Sequence, residues 1–355
     1  MKILVVRLSS LGDILHQFPA VSDLHRHFPE AEIHWLVEPA FAEVVQWHAA
    51  VGKVIPVPLR AHKKTWWKIP ALLGRLRRQL QAEHYDFVLD AQGLIKSALL
   101  ARFAGSAVYG FAAGSARESL ASRFYAKSVG VPGGLHVIDK NRQLVSALFD
   151  IDVSQPADFG LDAFRETCRQ AGLPPALKAI GPYVVLLHGT TWSSKFWPED
   201  HWKELIGLLT GQGWRCLLPW AGAVERQRVD RLKAAGGGQA QVLPELSLTG
   251  LMEILLQARA FVSVESGIGH LAAALDVPGI MLHGPTDPAY SGIPGKKCQH
   301  VTSGLYCSPC FKRDCPRIRP GKAIPPCQAE INPALVYQRL ETLVPDRSLH
   351  DTQKG

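Results

Sequence analysis

Several signatures of common protein classes are missing from this sequence. No apolar run approaches the ~20 residues that span a bilayer, and the chain runs from Met1 and Lys2 directly into a strand pattern without a signal-peptide design. No G-x-G-x-x-G follows a predicted strand, so a dinucleotide-dependent redox enzyme lacks its signature. Seven cysteines among 355 residues do not form a secreted disulfide framework. These absences predict a cytoplasmic globular protein of about two domains.

Acidic residues are absent between Val44 and Ala82, where basic residues and paired tryptophans accumulate. The segment contains Lys53, Arg60, Lys63, Lys64, Trp66, Trp67, Lys68, Arg75, Arg77 and Arg78. Basic residues beside tryptophans suit an anionic surface, such as phosphate-bearing lipid or nucleic acid. The alternative is an exposed helix face whose long side chains are simply solvated. The sequence leaves both interpretations open.

Strand and helix patterns alternate through both halves of the chain. Strands are predicted at 2–7, 32–37, 53–57, 86–90 and 108–110, and again at 183–188, 215–219, 240–243, 260–264 and 279–283. This alternation implies parallel βαβ units, hence an α/β fold of two Rossmann-like, doubly wound domains. We predict domains at 1–150 and 183–331. A proline-rich linker at 151–182 joins them, and a C-terminal helix and tail follow at 332–355.

Small polar and charged residues follow several predicted strands, where open parallel sheets bind ligands. In the first half Asp13 follows a Ser-Ser-Leu-Gly turn. In the second half these residues are Gly189, Thr190, Thr191, Lys195, Glu225, Glu265, Ser266, Gly267 and His270. Turn N–H groups and a lysine suit a phosphate, and an acid suits sugar hydroxyls. The alternative is a helix-capping aspartate and ordinary turn residues.

Six segments, in this order, resemble glycosyltransferase family 9, the lipopolysaccharide heptosyltransferases. They are VRLSSLGDILH at 6–16, DAQGLIKS at 90–97, ARESLA at 116–121, LHGTT at 187–191, KFWPE at 195–199 and SGIGHLAAA at 266–274. The resemblance implies a B-type glycosyltransferase fold of two facing domains, the N-terminal one binding the acceptor and the C-terminal one the nucleotide sugar. It implies inverting transfer of L-glycero-D-manno-heptose from ADP-heptose to the Kdo of Kdo2-lipid A. The alternative within the family is an enzyme with another donor or acceptor, such as one that adds the second heptose.

The resemblance also implies roles for individual residues. Asp13 matches the catalytic base, and Lys195 stabilises the departing ADP without a metal ion. The nucleotide-sugar contacts are Thr190, Thr191, Lys195, Glu225, Glu265, Ser266, Gly267 and His270. The acceptor contacts are Ser10, Gly12, Arg60, Lys63, Lys64, Gln92 and Arg117. It predicts a monomer that binds ADP-heptose, Kdo2-lipid A and the anionic cytoplasmic face of the inner membrane, but no nucleic acid and no cofactor.

Two features depart from the family pattern. Glu265 stands where the family usually has an aspartate, so its contact with the donor is open. Cys307, Cys310, Cys315 and Cys327 form a cluster in sequence that fits either a structural zinc site or thiols and disulfides. Two other classes also remain as alternatives: a nucleic-acid-binding module built on the basic segment, and a sugar-nucleotide epimerase, which would need a bound nicotinamide.

Overall fold

The computed structural model describes residues 1–59, 61, 67, 69–173, 177, 181–295, 297–318 and 324–345. The chain divides into two compact units, Met1–Phe164 and Arg165–Gly355. The predicted acceptor residues Arg60, Lys63 and Lys64 lie outside the described residues, as do Trp66 and Lys68. Of the helices in these ranges, none has the length and apolar character needed to cross a bilayer.

Unit 1 is built on a sheet of six parallel strands in the order β3-β2-β1-β4-β5-β6. The strands are β1 Lys2–Val6, β2 Glu32–Val37, β3 Val51–Pro56, β4 Phe87–Asp90, β5 Val108–Phe111 and β6 Lys127–Val129. The α-helices are α1 Leu11–Leu15, α2 Phe18–His27, α3 Ala42–Gln46, α4 Ile69–Gln81, α5 Ile95–Ala101 and α6 Val137–Phe149, and α7 Asp162–Ala171 spans the division between the units. Short 3-10 helices lie at Pro39–Phe41, Arg102–Ala104 and Ser119–Phe124.

The apolar composition of β1 follows from its place in the sheet. It pairs with β2 on one side and β4 on the other, so Val5 lies opposite Trp35 and Leu89. Ile3 through Val6 are completely buried, as expected for a parallel strand whose two faces are both covered by helices. A continuous apolar run therefore marks the centre of this sheet.

Local chemistry explains where the structure differs from the predicted elements. The apolar spacing after Gly12 suggested one helix, but the chain forms α1 and α2 with a break at His16 and Gln17. Pro19 occupies the second position of α2, where its missing N–H removes no intrahelical bond. Strand β6 was not predicted, because its three residues are mostly exposed and carry no apolar alternation.

Unit 2 has a second sheet of six parallel strands in the order β12-β11-β10-β7-β8-β9. Its strands are β7 Tyr183–Leu187, β8 Arg215–Leu218, β9 Ala240–Val242, β10 Ala260–Val264, β11 Gly279–His283 and β12 Cys298–Thr302. The helices are α8 Glu199–Gly211, α9 Gly222–Lys233, α10 Leu248–Leu256, α11 Gly267–Ala274, α12 Pro288–Ser291, α13 Pro326–Glu330 and α14 Pro333–Leu343, with 3-10 helices at Ser193–Lys195 and Ala234–Gly236. The sequence pattern did not predict β12.

The two sheets have the same topology. Numbered within its own unit, each follows the order 3-2-1-4-5-6 of doubly wound nucleotide-binding folds. The α/β prediction of two Rossmann-like sheets is therefore confirmed. In such sheets the strand order reverses direction between the first and fourth strands, and ligands bind at their carboxyl ends. These switch points fall between β1 and β4 in unit 1 and between β7 and β10 in unit 2.

Candidate active site

Asp13 lies at the switch point of unit 1, in the first turn of α1. Its Oδ2 atom accepts hydrogen bonds from the backbone N of Ser10 at 3.0 Å and from Ser10 Oγ at 2.9 Å. The carboxylate thus satisfies a backbone donor at the helix start, as the acid of a capping box does. The helix-capping interpretation is therefore part of the geometry, although it does not account for the other oxygen.

The second oxygen of Asp13 contacts two guanidinium groups. Arg7 Nη2 lies 3.1 Å and Arg117 Nη2 lies 2.7 Å from Oδ1. Burial by itself raises the pKa of the Asp13 carboxyl, but the charges of Arg7 and Arg117 and the bonds from Ser10 outweigh it and hold the pKa well below its ordinary value. Asp13 is consequently ionised at neutral pH while its side chain is only 20% exposed.

A buried polar network supports this turn from β4. The Oε1 atom of Gln92 accepts a hydrogen bond from the backbone N of Leu8 at 2.8 Å. Asp90 is fully buried and accepts bonds from Gln92 N, Ser97 Oγ and Tyr125 OH at 2.8–2.9 Å. Burial raises the pKa of the Asp90 carboxyl. Gln92, expected on the acceptor side, is itself only 3% exposed and connects β4 to the turn that presents Asp13.

In unit 2, Lys195 follows β7 and pairs with Glu265, which follows β10. Lys195 Nζ lies 2.8 Å from Glu265 Oε2, with the two side chains 13% and 6% exposed, and 4.3 Å from the centre of the Trp192 ring. Glu265 also accepts bonds from the hydroxyls of Thr286 and, at 3.3 Å, Ser291. Glu265 thus orients the lysine across the switch point.

The charge state of this pair follows from its neighbours. Burial alone would raise the pKa of the Glu265 carboxyl, but hydrogen bonding from His270 and the charge of Lys195 lower it well below its ordinary value. His270 Nε2 lies 3.6 Å from Glu265 Oε1. Nearby, burial lowers the pKa of His283 to about 3, so this histidine is neutral. Among the residues described around Glu265, Lys195 is therefore the cation that forms an ion pair with the carboxylate.

The remaining predicted donor residues border the same two turns. Thr190 Oγ1 donates to Glu265 O at 3.4 Å, which connects the turn after β7 to the turn after β10. Ser266 caps α11 by accepting from Gly269 N at 3.1 Å. Gly267 is the first residue of this eight-residue helix. Because the first N–H groups of a helix lack intrahelical partners and carry positive partial charge, this end suits a phosphate.

Glu225 reaches the same turn from α9. A Cβ on Gly189 would lie 2.3 Å from Glu225 Oε1, so the glycine is what lets the carboxylate approach the backbone. The other oxygen of Glu225 accepts from Ala221 N at 2.9 Å. A carboxylate held beside the turn that follows β7, which suits a phosphate, can accept hydrogen bonds from sugar hydroxyls.

The loop that contains Cys307, Cys310 and Cys315 forms hydrogen bonds with the turns that follow β7 and β11. Ser194 donates from N to Arg313 O at 3.1 Å and from Oγ to Lys312 O at 2.7 Å, while Cys310 N donates to Pro285 O at 3.0 Å. All seven cysteines are free thiols. In the part of the chain that the structure describes, which includes all of them, no three His, Cys, Asp or Glu side chains are arranged to hold a metal ion. Burial, and after it the charges of Cys315, Cys310 and Cys307, raises the pKa of the Cys327 thiol to about 11, so the other three side chains lie within electrostatic reach of Cys327. The zinc interpretation stays a prediction.

The structure brings the predicted residues into two groups and adds residues that sequence analysis missed. Ser10, Asp13 and Arg117 meet in unit 1. The donor residues border the two turns of unit 2. The missed residues are Arg7, Thr286 and the backbone of residues 312–313. Only Arg7 carried a signal, because a charged residue at the end of a buried strand needs a partner.

Known proteins resemble this chain in sequence and in fold. The model of glycosyltransferase family 9 (heptosyltransferase) matches residues 73–318. Lipopolysaccharide heptosyltransferase 1 of Pseudomonas aeruginosa is 43% identical over 357 residues, covering 97% of this chain and 98% of the relative.

Two solved structures of E. coli heptosyltransferase WaaC are also similar. The complex with ADP has a TM-score of 0.82 at 37% identity and covers 97% of this chain and 100% of that one. The complex with ADP-2-deoxy-2-fluoro heptose has a TM-score of 0.80 at 36% identity, covering 96% and 99%. The family and the fold predicted from the sequence are therefore confirmed, and the chain belongs to glycosyltransferase family 9, the heptosyltransferases.

Proposed function

We propose that this enzyme transfers heptose from ADP-heptose to the Kdo of Kdo2-lipid A. The observation that carries the proposal is the Asp13 carboxylate at the switch point of unit 1, held in ion pairs with Arg7 and Arg117. The donor follows from the similarity to a heptosyltransferase structure bound to a fluorinated ADP-heptose. The acceptor follows from the resemblance of the turn motifs and from the relative named heptosyltransferase 1.

In the proposed reaction, Asp13 removes the proton from the acceptor hydroxyl as its oxygen attacks the anomeric carbon. The bond between that carbon and the β-phosphate oxygen breaks, and its electron pair leaves with ADP. A single displacement inverts the anomeric configuration. Lys195, Thr190 and the N-terminus of α11 stabilise the charge that develops on the diphosphate. Glu225 holds donor hydroxyls, and Ser10, Gly12 and Arg117 contact the acceptor.

We further propose that the enzyme binds peripherally to the cytoplasmic face of the inner membrane. Helix α4 buries Leu76 and Leu80 and exposes Arg75, Arg77 and Arg78. Trp67 precedes this helix and is 60% exposed. Arginines beside an exposed tryptophan suit a surface of anionic headgroups.

Mass spectrometry of the purified enzyme with ADP-heptose and a deacylated Kdo acceptor tests the activity. We expect the acceptor to gain the mass of one heptose, and a preference for an acceptor that already carries heptose would overturn the proposed acceptor. Asp13→Asn keeps the shape but removes the base, so kcat should fall about 10²–10⁴-fold. Asp139→Asn is the matched control, because Asp139 is also a first-turn acid of a helix in unit 1. Near-normal turnover of Asp13→Asn would contradict the role of this residue.

A further inference from the structure

The hydrogen bonds around Asp13 leave no position for a substrate. A carboxylate offers about four lone-pair positions. Oδ1 accepts from Arg7 at 3.1 Å and Arg117 at 2.7 Å, and Oδ2 accepts from Ser10 N at 3.0 Å and Ser10 Oγ at 2.9 Å. A general base must come within about 2.6–3.2 Å of the oxygen it deprotonates. One of these four donors must therefore leave before Asp13 accepts a proton.

Burial distinguishes the two arginines. The Arg7 side chain is 7% exposed, follows β1 directly, and also donates to the backbone oxygen of Ala91. Moving Arg7 away from Asp13 would leave a buried charge without its partner, which is energetically costly. The Arg117 side chain is 51% exposed and reaches Asp13 from 104 residues away in the chain. An exposed guanidinium exchanges partners at little cost, so Arg117 is the donor that can leave.

Arg7, Arg117 and Lys140 make the surroundings of the carboxylate mainly positive. Lys140 on α6 donates to Ser115 O, and its pKa is lowered by burial and by the charges of Arg117 and Arg7. The buried Asp90 at the end of β4 offsets part of the Arg7 charge. An anionic group that approaches Arg117 therefore meets attraction from several cations.

We propose that Arg117 covers Asp13 in the free enzyme and that a carboxylate of the acceptor draws it away, while Arg7 stays as the positioning residue that keeps the base ionised. The proposal rests on the proposed function, since it needs an acidic acceptor. Guanidinium groups bind carboxylates through two parallel hydrogen bonds. When Arg117 takes this partner, Oδ1 becomes free to accept from the acceptor hydroxyl.

This exchange protects the donor from water. While Arg117 covers Oδ1, a water molecule beside bound ADP-heptose finds no base. Hydrolysis would need water oxygen to attack the anomeric carbon, the bond to ADP to break with its electron pair leaving on ADP, and a proton to pass to Asp13. The acidic acceptor draws Arg117 away from Oδ1, so the base becomes available only when the acceptor hydroxyl, which is the correct nucleophile, is present.

The test measures hydrolysis of ADP-heptose to heptose and ADP in the absence of acceptor. In Arg117→Gln we expect it to rise about tenfold, the factor associated with one charge-assisted hydrogen bond, and the acceptor KM to rise as well. Arg123→Gln, an exposed arginine of the same unit with no assigned role, should match the wild type. Unchanged hydrolysis in Arg117→Gln overturns the proposal. The proposal is also overturned if hydrolysis rises in Ser10→Ala but not in Arg117→Gln, because the serine hydroxyl would then be the hydrogen-bond donor that leaves.

The positioning role of Arg7 has its own readout. Removing its charge in Arg7→Met lets the pKa of Asp13 rise towards its ordinary value. The acid limb of kcat should therefore move to higher pH, with kcat reduced and the acceptor KM unchanged. Arg7→Lys keeps the charge and should restore the pH profile, and it carries the test if Arg7→Met does not fold. A wild-type profile in both variants overturns this role.

Wild-type transfer in the same assay separates the two proposals. If the wild-type enzyme transfers no heptose, the proposed function fails, and the inference built on it falls too. If the wild type transfers heptose and Arg117→Gln leaves hydrolysis unchanged, only the inference about Arg117 is refuted.

Discussion

The ion pair between Lys195 and Glu265 makes a quantitative prediction about unit 2. At an effective dielectric constant of about 20, unit charges 2.8 Å apart attract by about 6 kcal/mol. Desolvation cancels much of this gain, because the two side chains are only 13% and 6% exposed. Removing one partner leaves the other charge buried, so Glu265→Gln should destabilise unit 2 by about 3 kcal/mol.

A double-mutant cycle isolates the pairwise energy. Lys195→Met should cost less than Glu265→Gln, about 2 kcal/mol, because Thr286 and Ser291 still donate to the carboxylate. The double variant should be destabilised by about 2 kcal/mol less than the sum of the single variants. Hydrogen exchange measured by mass spectrometry on peptides from β7 and β10 reports this unit separately.

An exposed pair at nearly the same distance is the control. Lys203 and Asp200 lie 2.9 Å apart on α8, with side chains 41% and 88% exposed, and should couple by only about 0.3–0.5 kcal/mol. Equal coupling in the two pairs would refute the argument from burial. Calorimetry with ADP tests the function of the same pair, because Lys195→Met should bind ADP more weakly. Unchanged affinity in Lys195→Met would contradict its proposed diphosphate contact.

Three further predictions concern pH, membranes and metals. Burial lowers the pKa of His48 to about 4, whereas an unfolded histidine titrates near about 6.5. The unfolded chain therefore binds more protons between these values, so His48 removes up to about 3 kcal/mol of stability as pH falls through this window. The difference in Tm between His48→Asn and the wild type should shrink from pH 7 to pH 4.5, and a constant difference would refute the prediction. Combined Arg75→Glu and Arg78→Glu should reduce co-sedimentation with anionic vesicles at low salt, whereas equal binding would contradict the membrane contact. Heptose transfer should persist in EDTA, and its loss with recovery in Mg²⁺ would refute leaving-group stabilisation by Lys195 without a metal ion.

Much of the fold was predictable because parallel sheets leave a local signal. The apolar runs at β1, β7 and β10 are buried on both faces, and the polar turns after them stand out against that composition. The elements that were missed or misjudged lack such a signal. Strand β6 has three mostly exposed residues, and the break between α1 and α2 is set by one proline position in an otherwise helical pattern.

For the candidate site, the sequence predicted the turns but not the contacts that their residues make. Asp13 and Lys195 could be singled out because each follows a strand in a turn of small polar residues, and the ordered motifs pointed to the family. The partners of these residues could not be predicted. The backbone oxygens of residues 312 and 313 bond to Ser194 from 118–119 residues away, a separation at which local patterns carry no information.

The sequence by itself determined two doubly wound sheets and the enzyme family, and it predicted the turns of the candidate site, because periodicity and short motifs act over neighbouring residues. Only the tertiary structure decided the state of each functional group. The strand order places the Arg117 loop against Asp13 and places Glu265 against Lys195. Electrostatic interactions depend on distance and burial, and these are set by which strands become neighbours.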